Sequence, residues 1–76
     1  MNFETLKELI VDTLGCDAER VTPEASLTED LEADSLDAVE LNLAIEEASG
    51  INIPDEKMAE LKTVGEILAY LESQAG

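Results

Sequence analysis

Three stretches of this chain place apolar side chains three and four positions apart, the period that turns one face of an α-helix toward a core. In the first, Phe3, Leu6, Ile10, Thr13 and Leu14 share a face with Leu9 beside it. Asn2 is the N-cap expected for this helix, Glu4 puts an acid in its first turn, and Gly15 suits a left-handed end. In the last stretch, Val64, Ile67, Leu68 and Leu71 give the apolar face, with Tyr70 to one side, directly after the capping box Thr63-Val64-Gly65-Glu66. Ser73 to Gly76 are expected to fray. The middle stretch, Leu36 to Ser49, ends at Gly50 as C′ residue.

The segments between are connections. Asp17 to Glu32 is long, and Thr22-Pro23 biases it toward extended or turn geometry. Val21, Leu27 and Leu31 are its candidate pins onto the core, with a short turn over Ser26 to Asp30. Ile51-Asn52-Ile53-Pro54 reads as an extended link, and Asp55 to Leu61 as a short helix with Met58 and Leu61 inward. Lys57 and Lys62 are half of the positive charges and are expected to offset the acidic second helix locally. The reading is therefore all-α: a small helical bundle of three main helices plus one short helix, with a long loop between helices 1 and 2, forming a single domain over residues 1–76.

The middle helix is unlike the other two. Ala38, Leu41, Ile45 and Ala48 form a stripe free of acids, the natural core face. Leu36, Val39 and Leu43 form a second, roughly opposite, interleaved with Glu40, Glu46 and Glu47. Three carboxylates cannot be buried unpaired in so small a protein, so this second face is expected in water. An exposed aliphatic row among glutamates suits a basic partner with an apolar groove. At the helix start, Asp34 is the N-cap and Asp37 the third helical residue, while Ser35 stands in the first turn beside unpaired N–H groups that tolerate an anion.

Charge narrows the partners. Lys and Arg number 4 against 19 Asp and Glu, a formal charge of -15, which opposes nucleic acid and anionic membrane and leaves basic proteins. A hydrophobic content of 45% in helical spacing argues against disorder. Cys16 is alone, which excludes an internal disulfide and suits a reducing cytosol, so the chain is expected to be cytoplasmic. No apolar run reaches transmembrane length, and Met1-Asn2-Phe3-Glu4 lacks a basic, apolar leader.

The run Glu29-Asp30-Leu31-Glu32-Ala33-Asp34-Ser35-Leu36-Asp37-Ala38-Val39-Glu40-Leu41 resembles the attachment motif of acyl carrier proteins. Ile53-Pro54-Asp55-Glu56 and Lys62-Thr63-Val64-Gly65 are similar to the second half of that family, so the likeness covers nearly the whole chain. The resemblance implies that Ser35 bears a 4′-phosphopantetheine arm installed from coenzyme A by a phosphopantetheinyl transferase, with Asp34 contributing to magnesium binding in that complex. It implies acyl groups carried as thioesters, most directly in fatty acid synthesis, with a polyketide or aminoacyl carrier as the alternative. It further implies a monomer whose partner enzymes bear basic patches that meet Asp37, Glu40, Glu46 and Glu47 while Leu36, Val39 and Leu43 fill apolar hollows. The cargo is expected to withdraw between helices, lined by Leu41, Ile45, Leu61 and Ile67. Three departures from the family pattern stand out: Glu32 where Gly is usual, Asn42 for an aliphatic, and Ser49-Gly50 for Phe-Asp.

Rival chemistries fare worse. No His exists to activate a Ser or Cys nucleophile, and no phosphate-cradling glycine loop is present, so the chain is read as no enzyme. The acids at Asp30, Glu32 and Asp34 alternate as in a calcium loop, but Ser35 stands where Gly is needed and Leu41 where the bidentate Glu belongs, so no metal site is assigned. An unmodified acidic interaction domain would use the same Leu36, Val39 and Leu43 face without needing a hydroxyl at position 35.

Overall fold

The computed structural model describes residues 2–75. Met1, the first residue of the stretch read for a leader, and Gly76 lie outside them. Helices α1 (Phe3–Leu14), α2 (Ser35–Ser49), α3 (Asp55–Glu60) and α4 (Val64–Ala75) follow in order, with a 3₁₀ turn at Ala18–Arg20 in the loop after α1. Each boundary has a local cause. The Asn2 side chain accepts from the Thr5 N–H at 2.9 Å, and Gly15 closes α1 at φ 68°. Gly50 does the same for α2 at φ 76°. At the start of α4, the Thr63 hydroxyl accepts from the Glu66 N–H at 3.2 Å while the Glu66 carboxylate accepts from the Thr63 N–H at 3.3 Å. Neither Gly nor Pro follows Leu71 before Gly76, and α4 stays helical through Ala75, past Ser73 where the sequence predicts fraying.

The core is built from Leu6 and Ile10 of α1, Leu41 and Ile45 of α2, and Val64, Ile67 and Leu71 of α4, all fully buried. The long loop contributes as much as a helix would: Val21, Leu27 and Leu31 are buried, as expected, and so are Ala25 and Ala33. Ile53, from the link before α3, is buried as well. Met58 and Leu61 pack half-buried against this cluster. Ala48 is exposed, contrary to its place on the core stripe, and the half-buried Ser49 closes the last turn by donating to the Ile45 carbonyl at 2.7 Å. The core stops at Ile45, so the final turn of α2 outruns it.

Main-chain pairing laces the loop to the start of α4. The Gly65 N–H donates to the Pro23 carbonyl at 2.8 Å, the Val64 N–H to Ala25 at 3.0 Å, and the Leu27 N–H to Lys62 at 3.1 Å. Two of the N–H groups that every helix start leaves without intrahelical partners are thus satisfied by the loop. Lys57 does not reach α2: it pairs with Glu60 of its own helix at 3.6 Å and lies over the Tyr70 ring at 5.7 Å from the centroid. Lys62 makes no ion pair among the described residues. Lys57 thus offsets one of the three acids of its own α3, and no ion pair offsets the acids of α2 among the described residues.

Among the described residues, Glu32 alone is a non-glycine with positive φ, at 55°. The loop therefore forces the left-handed conformation at the position where an acid replaces the family's usual glycine, at a cost of about 1–2 kcal/mol for a residue with a Cβ. Glu32→Gly is expected to stabilise the fold by about 0.5–1 kcal/mol after the extra freedom of glycine in the unfolded chain is subtracted. Urea unfolding measures this, and a midpoint at or below the natural one would show that the strain is not relieved there.

Candidate functional site

Ser35 is the first residue of α2 and is exposed. The turn that presents it is fixed by a reciprocal cap. Asp34 Oδ1 accepts from the Asp37 N–H at 2.9 Å, and Asp37 Oδ2 accepts from the Asp34 N–H at 3.3 Å. With the Ala38 N–H on the Asp34 carbonyl at 3.0 Å, the N–H groups of Ser35 and Leu36 are the two of the first turn left without an intrahelical partner. The hydroxyl therefore stands at the positive end of a 15-residue helix, on a turn held from both sides.

Two surfaces flank it. On one side Leu36, Val39 and Leu43 are 65%, 53% and 56% exposed, although large and apolar. Glu40 and Glu47 are exposed among them. Glu46 is half-buried, and one of its carboxylate oxygens accepts from Asn52 at 2.9 Å, so it is the least free of the acids on this face. Asp37 is half-buried on the other flank of the helix, in a small cleft that Arg20 and Glu32 also line.

Adjoining the apolar row, and sharing Val39 with it, a groove of about 980 Å³ opens along α2. Its α2 wall is Ser35, Ala38, Val39 and Asn42, and α3 with its C-cap supplies Met58, Ala59 and Leu61. Of the four residues expected to line such a space, Leu61 does so; Leu41, Ile45 and Ile67 are fully buried in the core behind it. The lining was legible in the spacing, since positions 38, 39 and 42 fall three, four and seven residues after Ser35 on one helical face. In the sequence, the acid-free stripe of Ala38, Leu41, Ile45 and Ala48 draws Ala38 toward the core and obscures this face.

The chain matches the model of the phosphopantetheine attachment site over residues 4–71, from the first turn of α1 to the buried Leu71 of α4. It is 49% identical over 72 residues to the acyl carrier protein of Thermosynechococcus vestitus, covering 95% of this chain and 89% of that protein. The chain belongs to the acyl carrier protein family. A second relative, the acyl carrier protein of Helicobacter hepaticus, is 49% identical over 71 residues, covering 93% of each. Membership makes the chain a carrier with phosphopantetheine as its prosthetic group, not a catalyst. Among the described residues, no helix of this carrier is long and apolar enough to cross a membrane.

The start of α2 fits such a group. A phosphodiester on the Ser35 oxygen would have the Ser35 and Leu36 N–H groups within its own turn and the groove beside it. Asp34 and Asp37 oppose it by charge, but one oxygen of each is engaged in the cap and the site is open to screening ions.

Proposed function

We propose that Ser35 carries the 4′-phosphopantetheine arm and that the chain shuttles acyl thioesters for fatty acid synthesis as a monomeric, single-domain, cytoplasmic carrier over residues 1–76. The observation that carries this is the exposed Ser35 on a doubly capped helix start, beside an apolar row and a groove that meet at Val39. In loading, the Ser35 oxygen forms a bond to the pantetheine-side phosphorus of coenzyme A. The diphosphate P–O bond breaks, adenosine 3′,5′-bisphosphate leaves, and the serine proton passes to a base of the phosphopantetheinyl transferase. Asp34 Oδ2, outside the cap, is the oxygen available to share a magnesium ion in that complex.

When bound, the arm supplies a thiol that holds the acyl group as a thioester; this chain positions and shields. The groove beside Ser35 gives an apolar chain a place to withdraw from water, against Ala38, Val39, Met58 and Leu61. Enzymes that use the cargo meet the exposed row: Leu36, Leu43 and the outer side of Val39 enter apolar hollows, while Glu40, Glu46 and Glu47 beside them, and Asp37 around the helix, face basic patches. Their association must stay weak, since the carrier has to leave after each transfer. One tethered thiol then reaches successive active sites at high effective concentration.

Loading is tested by intact mass after incubation with coenzyme A and a transferase, followed by fragment ions that locate the added phosphopantetheine. An arm on Ser35 is the expected outcome; an unchanged mass, or an arm on another residue, refutes the assignment. Docking has its own test. Glu40→Lys or Glu47→Lys, both at exposed positions, is expected to slow loading about three- to tenfold at low salt while leaving the helical circular dichroism intact. The deficit should shrink as ionic strength rises. Unchanged rates with an unchanged salt slope would move the docking face elsewhere.

A further inference from the structure

The groove follows α2 for two turns, from Ser35 to Asn42, a span of about 10 Å at roughly 1.5 Å per residue, and no residue of α2 beyond Asn42 lines it. Asn42 is therefore the last group of that wall and, past Ser35, its one polar side chain within the helix. It is half-buried and held in place. Its Nδ2 donates to the Ile53 carbonyl at 2.7 Å, and its Oδ1 accepts from the Ile53 N–H at 3.4 Å. Ile53 is buried in the core, so the amide cannot swing aside without pulling the link before α3.

An asparagine amide has two donor hydrogens and two acceptor lone pairs. Ile53 takes one of each. Asn42 lines the groove and is half-buried, and among the described residues no other group pairs with its side chain, so the remaining N–H and lone pair are left to water or cargo. A saturated chain packed over them removes that water and replaces nothing, whereas a chain bearing a hydroxyl restores the hydrogen bond. Sites built around a polar contact reject the analogue that lacks it far more strongly than apolar sites reject an extra group.

We infer that Asn42 is a specificity-determining residue of the carrier, by which the groove holds oxygen-bearing acyl groups in preference to saturated chains of the same length. The inference rests on Ser35 as the attachment point, because that choice brings the cargo to this groove. A role confined to stapling the link to α2 would make no distinction between cargoes, and this is the difference to measure.

The natural chain and Asn42→Leu, an aliphatic of similar shape, are each loaded with octanoyl and with 3-hydroxyoctanoyl phosphopantetheine, checked by intact mass, and melted. In the natural chain the hydroxyacyl form is expected to melt about 4 °C or more above the octanoyl form. In Asn42→Leu the order is expected to reverse. Equal melting of the two natural forms, a higher octanoyl form, or a difference that survives Asn42→Leu overturns the inference. Should Asn42→Leu not fold, the comparison on the natural chain decides alone. A missing mass increment refutes the Ser35 assignment and the cargo preference with it, while loaded protein with the wrong melting order refutes the preference alone.

Discussion

Ser35→Ala takes up no phosphopantetheine, to the limit of intact-mass detection, while its unfolding free energy stays within about 0.5 kcal/mol of the natural chain. The two halves of that expectation have separate grounds. The cap of α2 is made by Asp34 and Asp37, with no part played by the Ser35 side chain, so alanine keeps the helix start and brings good helical propensity. What disappears is one nucleophilic oxygen. Other hydroxyls border the same groove and do not replace it: Ser26 Oγ is engaged with the Glu29 N–H at 3.3 Å and with Thr28 Oγ1 at 3.4 Å, and Thr63 belongs to the cap of α4. None of these sits at the first position of α2 beside the exposed Leu36, Val39 and Leu43 row. Residual loading of Ser35→Ala under conditions that load the natural chain fully would assign the arm to another residue.

Gly65→Ala lowers stability by about 1–3 kcal/mol, and the sign is the informative part. In an ordinary helix this exchange is favourable by roughly 0.5–1 kcal/mol, since alanine has the better propensity. Here a Cβ at position 65 lies 2.9 Å from the Pro23 carbonyl oxygen, a backbone atom with no side-chain freedom to retreat. The same carbonyl accepts the Gly65 N–H at 2.8 Å, so relief of the clash loosens that bond and strains the neighbouring Val64 to Ala25 pairing. Overpacking that moves backbone outweighs the propensity gain. A shift of 1 kcal/mol moves the melting temperature of a domain this size by about 4–8 °C, well within measurement. If Gly65→Ala melts at or above the natural temperature, the long loop does not seat on α4 as described.

What the sequence reveals of this architecture is what depends on neighbours within a turn. Asn2, the Asp34 and Asp37 pair, the Thr63 and Glu66 pair, Gly15 and Gly50 act over at most four residues, and each does in the structure what its chemistry predicts. Val21, Leu27 and Leu31 were legible as pins because large apolar residues in a polar loop have few other uses. Ala25, Ala33 and Ile53 were not, since two are small and all three owe their burial to segments distant in sequence.

The same limit applies at the site. The exposed row and the capped serine could be read from the helical wheel, whereas the tie between Asn42 and Ile53 spans 11 positions and has no local signature. Glu32 presents the opposite case. Its side chain argues against positive φ, and the loop imposes that conformation anyway, because the turn into α2 must bury both Leu31 and Ala33.

The lacing of loop to α4 leaves the molecule mechanically lopsided. On one edge, distant parts of the chain are stitched by successive main-chain bonds; on the other, a six-residue helix rests on two half-buried side chains and one amide clasp. Opening is therefore expected to begin at the looser edge, with the amides of α3 exchanging with solvent well before those of α4, while the stitched edge holds its register.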